Sequence, residues 1–129
     1  MKRIKESVAA GARVLTGGTH EGHFYHPTVV ADVKPGMAAF RDELFGSVAA
    51  IVRADDAGHA LRLANDTAYG LSSAVLTNDL QLAMKFAMEL DAGMVHINGP
   101  TVHDEAIVPF GGVKDSGSGE RVVTGRWTN

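Results

Sequence analysis

His20, His23 and His26 recur at every third position, and clustered histidines are a common start for a metal site. On an extended strand a spacing of three puts successive side chains on opposite faces. Glu21 alone nearby could extend the ligand set, so the pattern reads as a surface hairpin rather than a metal centre. The segment from Gly112 to Gly117 has the glycine spacing of a phosphate loop, but Ser118 stands where that loop needs lysine. Gly117-Ser118-Gly119 lacks the further glycine of a dinucleotide fingerprint. His103 has the chemistry of a general base. Phe110 lies between Pro109 and Gly111-Gly112, where backbone can approach closely and leave the ring facing a cavity. The 129 residues include no cysteine, which excludes a thiol nucleophile, a disulfide framework and a thiolate metal site in this chain.

The elements that must hold these residues are clearest in the middle of the chain. Val48 to Val52 is a short apolar run of buried-strand type. Asp55 or Asp56 can cap a helix carrying Ala57, Ala60, Leu61 and Ala64 at i, i+3, i+4 and i+7. Ser73 to Leu76 reads as the next strand. Asn78 or Asp79 can cap a second helix with Leu80, Ala83, Met84 and Ala87 on one face, widened by Phe86 and Leu90. Gly93 is placed to close that helix in the left-handed conformation, and Met94 to Ile97 forms another strand. Strand, helix, strand, helix, strand with short loops predicts an α/β fold, a parallel βαβαβ sheet covered by helices. Ahead of it, the first twelve residues read as the end of a helix. Arg13 to Leu15 reads as a short strand, and Tyr25 to Val33 as a β-branched strand ending at Lys34-Pro35-Gly36. Beyond Asn98 the chain turns to loop, and so long an irregular segment is usually functional or ordered against a partner.

Length and composition suit one domain. With 45% apolar and 21% charged residues the chain has globular rather than disordered composition. A net charge of -3, with its basic residues scattered, leaves no footprint for nucleic acid. No apolar run approaches the roughly twenty residues that would span a bilayer, and the basic start lacks the apolar stretch of a signal peptide. The expected location is cytoplasmic.

Four ordered segments resemble the aldehyde dehydrogenase superfamily. Arg41-Asp42-Glu43-Leu44-Phe45-Gly46-Ser47-Val48 resembles its Glu-Glu-x-Phe-Gly-Pro-Val stretch, and Ala64 to Ser73 its Ala-Asn-x-Thr-x-Tyr-Gly-Leu-x-Ala stretch. Leu90 to Asn98 is similar to its Ala-Gly-x-Val-x-Val-Asn strand, and Pro109 to Gly117 to its Pro-Phe-Gly-Gly-x-Lys-x-Ser-Gly signature. Gly11 to Gly18 fits the segment that precedes them. The loop from Asn98 to Glu105 most resembles the branch acting on aromatic aldehydes such as salicylaldehyde, benzaldehyde or vanillin. Ser47 departs from the family's usual proline. The ending after Gly119 is short, although Arg126-Trp127-Thr128 resembles part of the strand that joins subunits.

The resemblance implies that residues 1–119 are the C-terminal portion of the catalytic domain and 120–129 a shortened oligomerisation tail. It implies NAD(P)-dependent oxidation of an aldehyde to its acid by a complete enzyme, with NAD or NADP as cofactor and a homo-oligomeric assembly. The shortened tail puts that assembly in question for this chain. Such chemistry takes a nucleophile for the carbonyl, a base to activate water, and a nicotinamide held over the adduct. The family's cysteine, its glutamate and its nucleotide-binding domain lie upstream of the segments seen here, so the chain alone is expected to be inactive. An alternative is a non-enzymatic remnant that pairs with itself or with intact subunits. Glu43 is assigned to the nicotinamide ribose, whose hydroxyls a carboxylate can accept, and Phe45 to the nicotinamide ring. Phe110, Thr101, Val102, His103 and Asp104 are assigned to the aldehyde pocket. No catalytic or metal-binding residue is assigned.

Overall fold

The computed structural model describes residues 2–102 and 110–117. The chain divides into two units, Met1–Leu63 and Ala64–Asn129.

The first unit opens with helix α1, Lys2–Ala9. Gly11, at φ +106, ends it: its N–H donates to the Val8 carbonyl while the Ala12 N–H reaches the Ser7 carbonyl. That pair of bonds satisfies carbonyls the helix end would leave open. Strands β1 (Arg13–Thr16), β4 (Thr28–Val33) and β5 (Val48–Val52) form one sheet in the order β1-β4-β5. β1 runs antiparallel to β4, and β5 runs parallel to it, with Val30 opposite Ala50. Between β1 and β4, β2 (His20–Glu21) and β3 (Phe24–Tyr25) form an antiparallel hairpin. The extended run expected from Tyr25 to Val33 is thus broken at His26-Pro27, and β4 bulges at Asp32. That residue adopts φ +58, and its carboxylate accepts from Arg13 Nε at 2.9 Å. Aspartate is one of the few side chains that visits this region readily.

The core of this unit is Ile4, Ala12, Val30, Val33, Met37 and Ala39. Each large aliphatic there contributes about 1.5–3 kcal/mol by leaving water. The short helix α2, Ala38–Arg41, is pinned to α1 by fully buried Ser7, whose hydroxyl donates to the Arg3 carbonyl and accepts from the Ala39 N–H. Helix α3, Ala57–Asn65, begins in this unit and runs past its end at Leu63; Asp56 caps it, accepting from the His59 N–H at 2.7 Å.

In the second unit β7 (Ser72–Val75) and β8 (Met94–Ile97) pair in parallel, joined through α4, Leu80–Glu89. Asp79 caps α4 through the Leu82 N–H. β6 (Tyr69–Gly70) pairs antiparallel with β9 (Val113–Lys114). No helix among the described residues is long and apolar enough to cross a membrane.

The protein is mixed α/β, and four further expectations change. The single βαβαβ sheet is not what the strand pairing shows: β5 pairs with β4, in a sheet separate from β7 and β8. Alternation marks a strand but cannot name its distant partner. The middle of β5, Ala49 to Ile51, is exposed rather than buried. On α4, Ala83 is buried and Leu82, Phe86, Ala87 and Leu90 half-buried, whereas Leu80 and Met84 point outward with Met88. The helix is apolar on more than the face it buries. Gly93 is not in the left-handed region; α4 ends at Leu90 in extended geometry, and Gly93 serves a close contact instead.

Candidate functional site

The carboxylates at the end of α2 differ sharply. Asp42 accepts from Arg3 Nε and from Arg41 Nε, each at 3.0 Å. The bond from Arg41, then that from Arg3, holds its carboxyl below the ordinary value of 3.8. Its neighbour Glu43 is exposed. Phe45 is 94% exposed, so core packing does not account for this ring. The segment is nonetheless anchored: the Thr28 N–H donates to the Ser47 carbonyl at 2.9 Å, fastening the chain at the shared start of β4 and β5. Ser47, in the place of a proline, accepts this bond through a carbonyl that either residue would supply. A cleft of about 390 Å³ lies beside it, lined by Tyr25, Leu44, Phe45, Gly46, Ser47 and Val48 with the first turn of α1. The buried Tyr25 hydroxyl has no partner among the described residues. An exposed carboxylate and an exposed ring, two residues apart on an anchored loop, can meet a sugar diol and a flat heterocycle.

The second unit brings three distant segments together. Besides the β6–β9 pairing, the Asp115 N–H donates to the Ala68 carbonyl at 2.9 Å and the Gly70 N–H to Ser116 Oγ at 3.1 Å. Lys114, at φ +52, donates from Nζ to the Asn65 carbonyl at 2.8 Å and lies 3.6 Å from Asp91 Oδ2. Asn65 closes the arrangement, donating to the Glu89 carbonyl and accepting from the Asp91 N–H. The Gly93 N–H donates to the Gly70 carbonyl at 3.0 Å. A side chain on Gly93 would collide with Gly111, one on Gly117 with Gly112, and one on Gly112 with Ser116. The glycines of this segment therefore serve backbone-to-backbone approach. Phe110, half exposed, is the described residue that precedes this locked turn.

Thr101 and Val102 are exposed, on a loop that leaves β8 through Asn98. Asn98, at φ +54, accepts from the Thr77 N–H at 2.9 Å and donates back to the Thr77 carbonyl at 3.0 Å. His103 and Asp104 lie outside the described residues, as do Ser118 and the 120–129 tail. In the β2–β3 hairpin expected of the histidines, His20 opens β2 opposite Tyr25 and His26 follows β3, with its Nε2 3.8 Å from Glu21 Oε1. Asn65, Asp91, Lys114 and Asn98 hold this geometry although neither residue type nor spacing marks them as functional. All four sit inside the signature segments, which was the signal available for them.

The family described as "Aldehyde dehydrogenase family" matches residues 1–128. A vanillin dehydrogenase from Pseudomonas sp. is 47% identical over 116 residues, covering 90% of this chain and 24% of that protein. An NAD(P)+ succinate semialdehyde dehydrogenase from Escherichia coli is 49% identical over 123 residues, covering 93% of this chain and 26% of that protein. The crystal structure of a salicylaldehyde dehydrogenase from Pseudomonas putida, complexed with salicylaldehyde, superposes with a TM-score of 0.86 at 38% identity, covering 90% of this chain and 24% of that one. The chain thus spans about a quarter of the length of these proteins.

Proposed function

This chain belongs to the aldehyde dehydrogenase family, and from that premise we propose that it is the C-terminal portion of an enzyme oxidising an aldehyde to its acid with NAD or NADP. An aromatic aldehyde is the proposed substrate class. Relatives named for vanillin and benzaldehyde, and a neighbour bound to salicylaldehyde, support it beside the semialdehyde enzymes.

The carrying observation is that Glu43 and Phe45 stand exposed on an anchored loop while the chain has no cysteine. A bound nicotinamide would supply the hydride acceptor. In this reading Glu43 holds the ribose by accepting its hydroxyls, and Phe45 sets the plane of the ring. Phe110, Thr101, Val102, His103 and Asp104 wall the aldehyde pocket, Phe110 offering an aromatic face. The attacking thiolate and the base for water come from outside this chain, which is inactive alone and cytoplasmic in the same reading.

The test is reduced-cofactor formation from benzaldehyde or salicylaldehyde with NAD or NADP. None is expected from this chain by itself, and turnover is expected when it is joined to an upstream segment bearing cysteine and glutamate. Turnover by the isolated chain would sink the proposal.

A second reading, a remnant that self-associates or pairs with intact subunits, draws on the exposed Leu76, Leu80, Met84 and Met88 and on the outer strands β1 and β5. Size-exclusion chromatography decides it, a clean monomer speaking against it.

A further inference from the structure

We infer that Ser72 is a positioning residue for the loop that carries Thr101 and Val102. Ser72 is the first residue of β7, opposite Met94 of β8, and its hydroxyl donates to the Thr101 carbonyl at 2.8 Å. The near end of this loop is fixed by Asn98, through its two bonds to Thr77 and its N–H to the Val75 carbonyl at 2.8 Å. Among the described residues, the bond from Ser72 is the one hydrogen bond that reaches Thr101 or Val102. Thr101 is exposed and Val102 is 90% exposed, so apolar burial does not orient them. The Ser72 bond sets the peptide plane between Thr101 and Val102, and through it the direction of the Val102 side chain. A residue 29 positions from Thr101 thereby sets which apolar surface the loop presents. Its bearing on substrate choice rests on the aldehyde-pocket reading; its mechanical role does not.

The test is amide nitrogen relaxation on the whole chain and on Ser72→Ala and Ser72→Thr. In the wild type the Val102 amide should show an order parameter near that of rigid backbone, about 0.85, and in Ser72→Ala it should fall below roughly 0.6. Val75 and Val95 should stay unchanged, and Ser72→Thr, which keeps the hydroxyl, should restore Val102. The inference is overturned if Ser72→Ala leaves Val102 rigid, if Val75 and Val95 loosen with it, or if Ser72→Thr is as loose as alanine. Titrating the wild-type chain with benzaldehyde tests the pocket separately. Unmoved Val102 methyl signals there reject the aldehyde role of the loop, while the relaxation data still decide the role of Ser72.

Discussion

Gly93 lies so close to Gly111 that a methyl group on Gly93 would overlap the Gly111 carbonyl oxygen. The strand start after α4 and the glycine pair after Phe110 therefore pack backbone on backbone. Gly93→Ala should destabilise the chain by at least about 2 kcal/mol, because neither partner is a side chain that can rotate away. Gly99→Ala, whose new methyl would find the His96 Cβ at 3.8 Å, should stay within about 0.5 kcal/mol of wild type. Urea unfolding of the two variants checks the contrast.

Ser7 has no exposed surface and uses its hydroxyl in both directions, toward the Arg3 carbonyl and from the Ala39 N–H. Ser7→Ala keeps the volume nearly constant but strands a buried amide at the start of α2. Its expected cost is about 1–3 kcal/mol, read from thermal unfolding. A neutral result would mean that water reaches Ala39.

Phe45 should behave oppositely. Its ring is almost fully exposed, so Phe45→Ala should shift stability by no more than about 0.5 kcal/mol. Ile4→Ala, in the core, should cost about 2–4 kcal/mol. A large loss on removing the Phe45 ring would show that it packs in this chain, leaving it unavailable to a nicotinamide.

Acid should weaken the first unit through two carboxylates. Asp42, by the bonds from Arg41 and Arg3, and Asp56, chiefly by the His59 N–H, are held below the ordinary value of 3.8. The folded form thus releases these protons more readily than the unfolded one. The stabilisation is complete above 3.8 and disappears as the pH falls through the lowered folded values. Melting temperature against pH should drop in that window. Asp42→Asn and Asp56→Asn should each flatten the drop and lower stability at neutral pH.

The local parts of this fold could be read from residue types. The first twelve residues marked a helix end, met at Gly11, and Asn78 or Asp79 marked the start of α4, met at Asp79, because such signals act within a few positions of themselves. Where a contact is distant, composition was silent. Val48 to Val52 announced a strand but not that Thr28 to Val33 would be its neighbour. Gly93 suggested a left-handed helix end and serves a tight approach instead, since both call for the same residue. Leu80, Ala83 and Met84 were equally apolar, and packing chose Ala83. At the site, the roles of Glu43, Phe45 and Phe110 came from resemblance. The lysine bond from Lys114 to Asn65 joins residues 49 positions apart, which no local pattern encodes.

Gly70 and Ser116 are 46 positions apart, so the β6–β9 clasp cannot close until the segment after Phe110 has left the ribosome. β1 and β4 flank a short hairpin and need no such wait. Closing the longer span also carries the greater entropic cost, which slows it further. During synthesis, then, the N-terminal sheet should be standing while the Phe110 segment is still unformed. Pulse-labelled hydrogen exchange during refolding should protect the β4 amides before the Gly70 amide, and the reverse order would mean that the clasp nucleates folding.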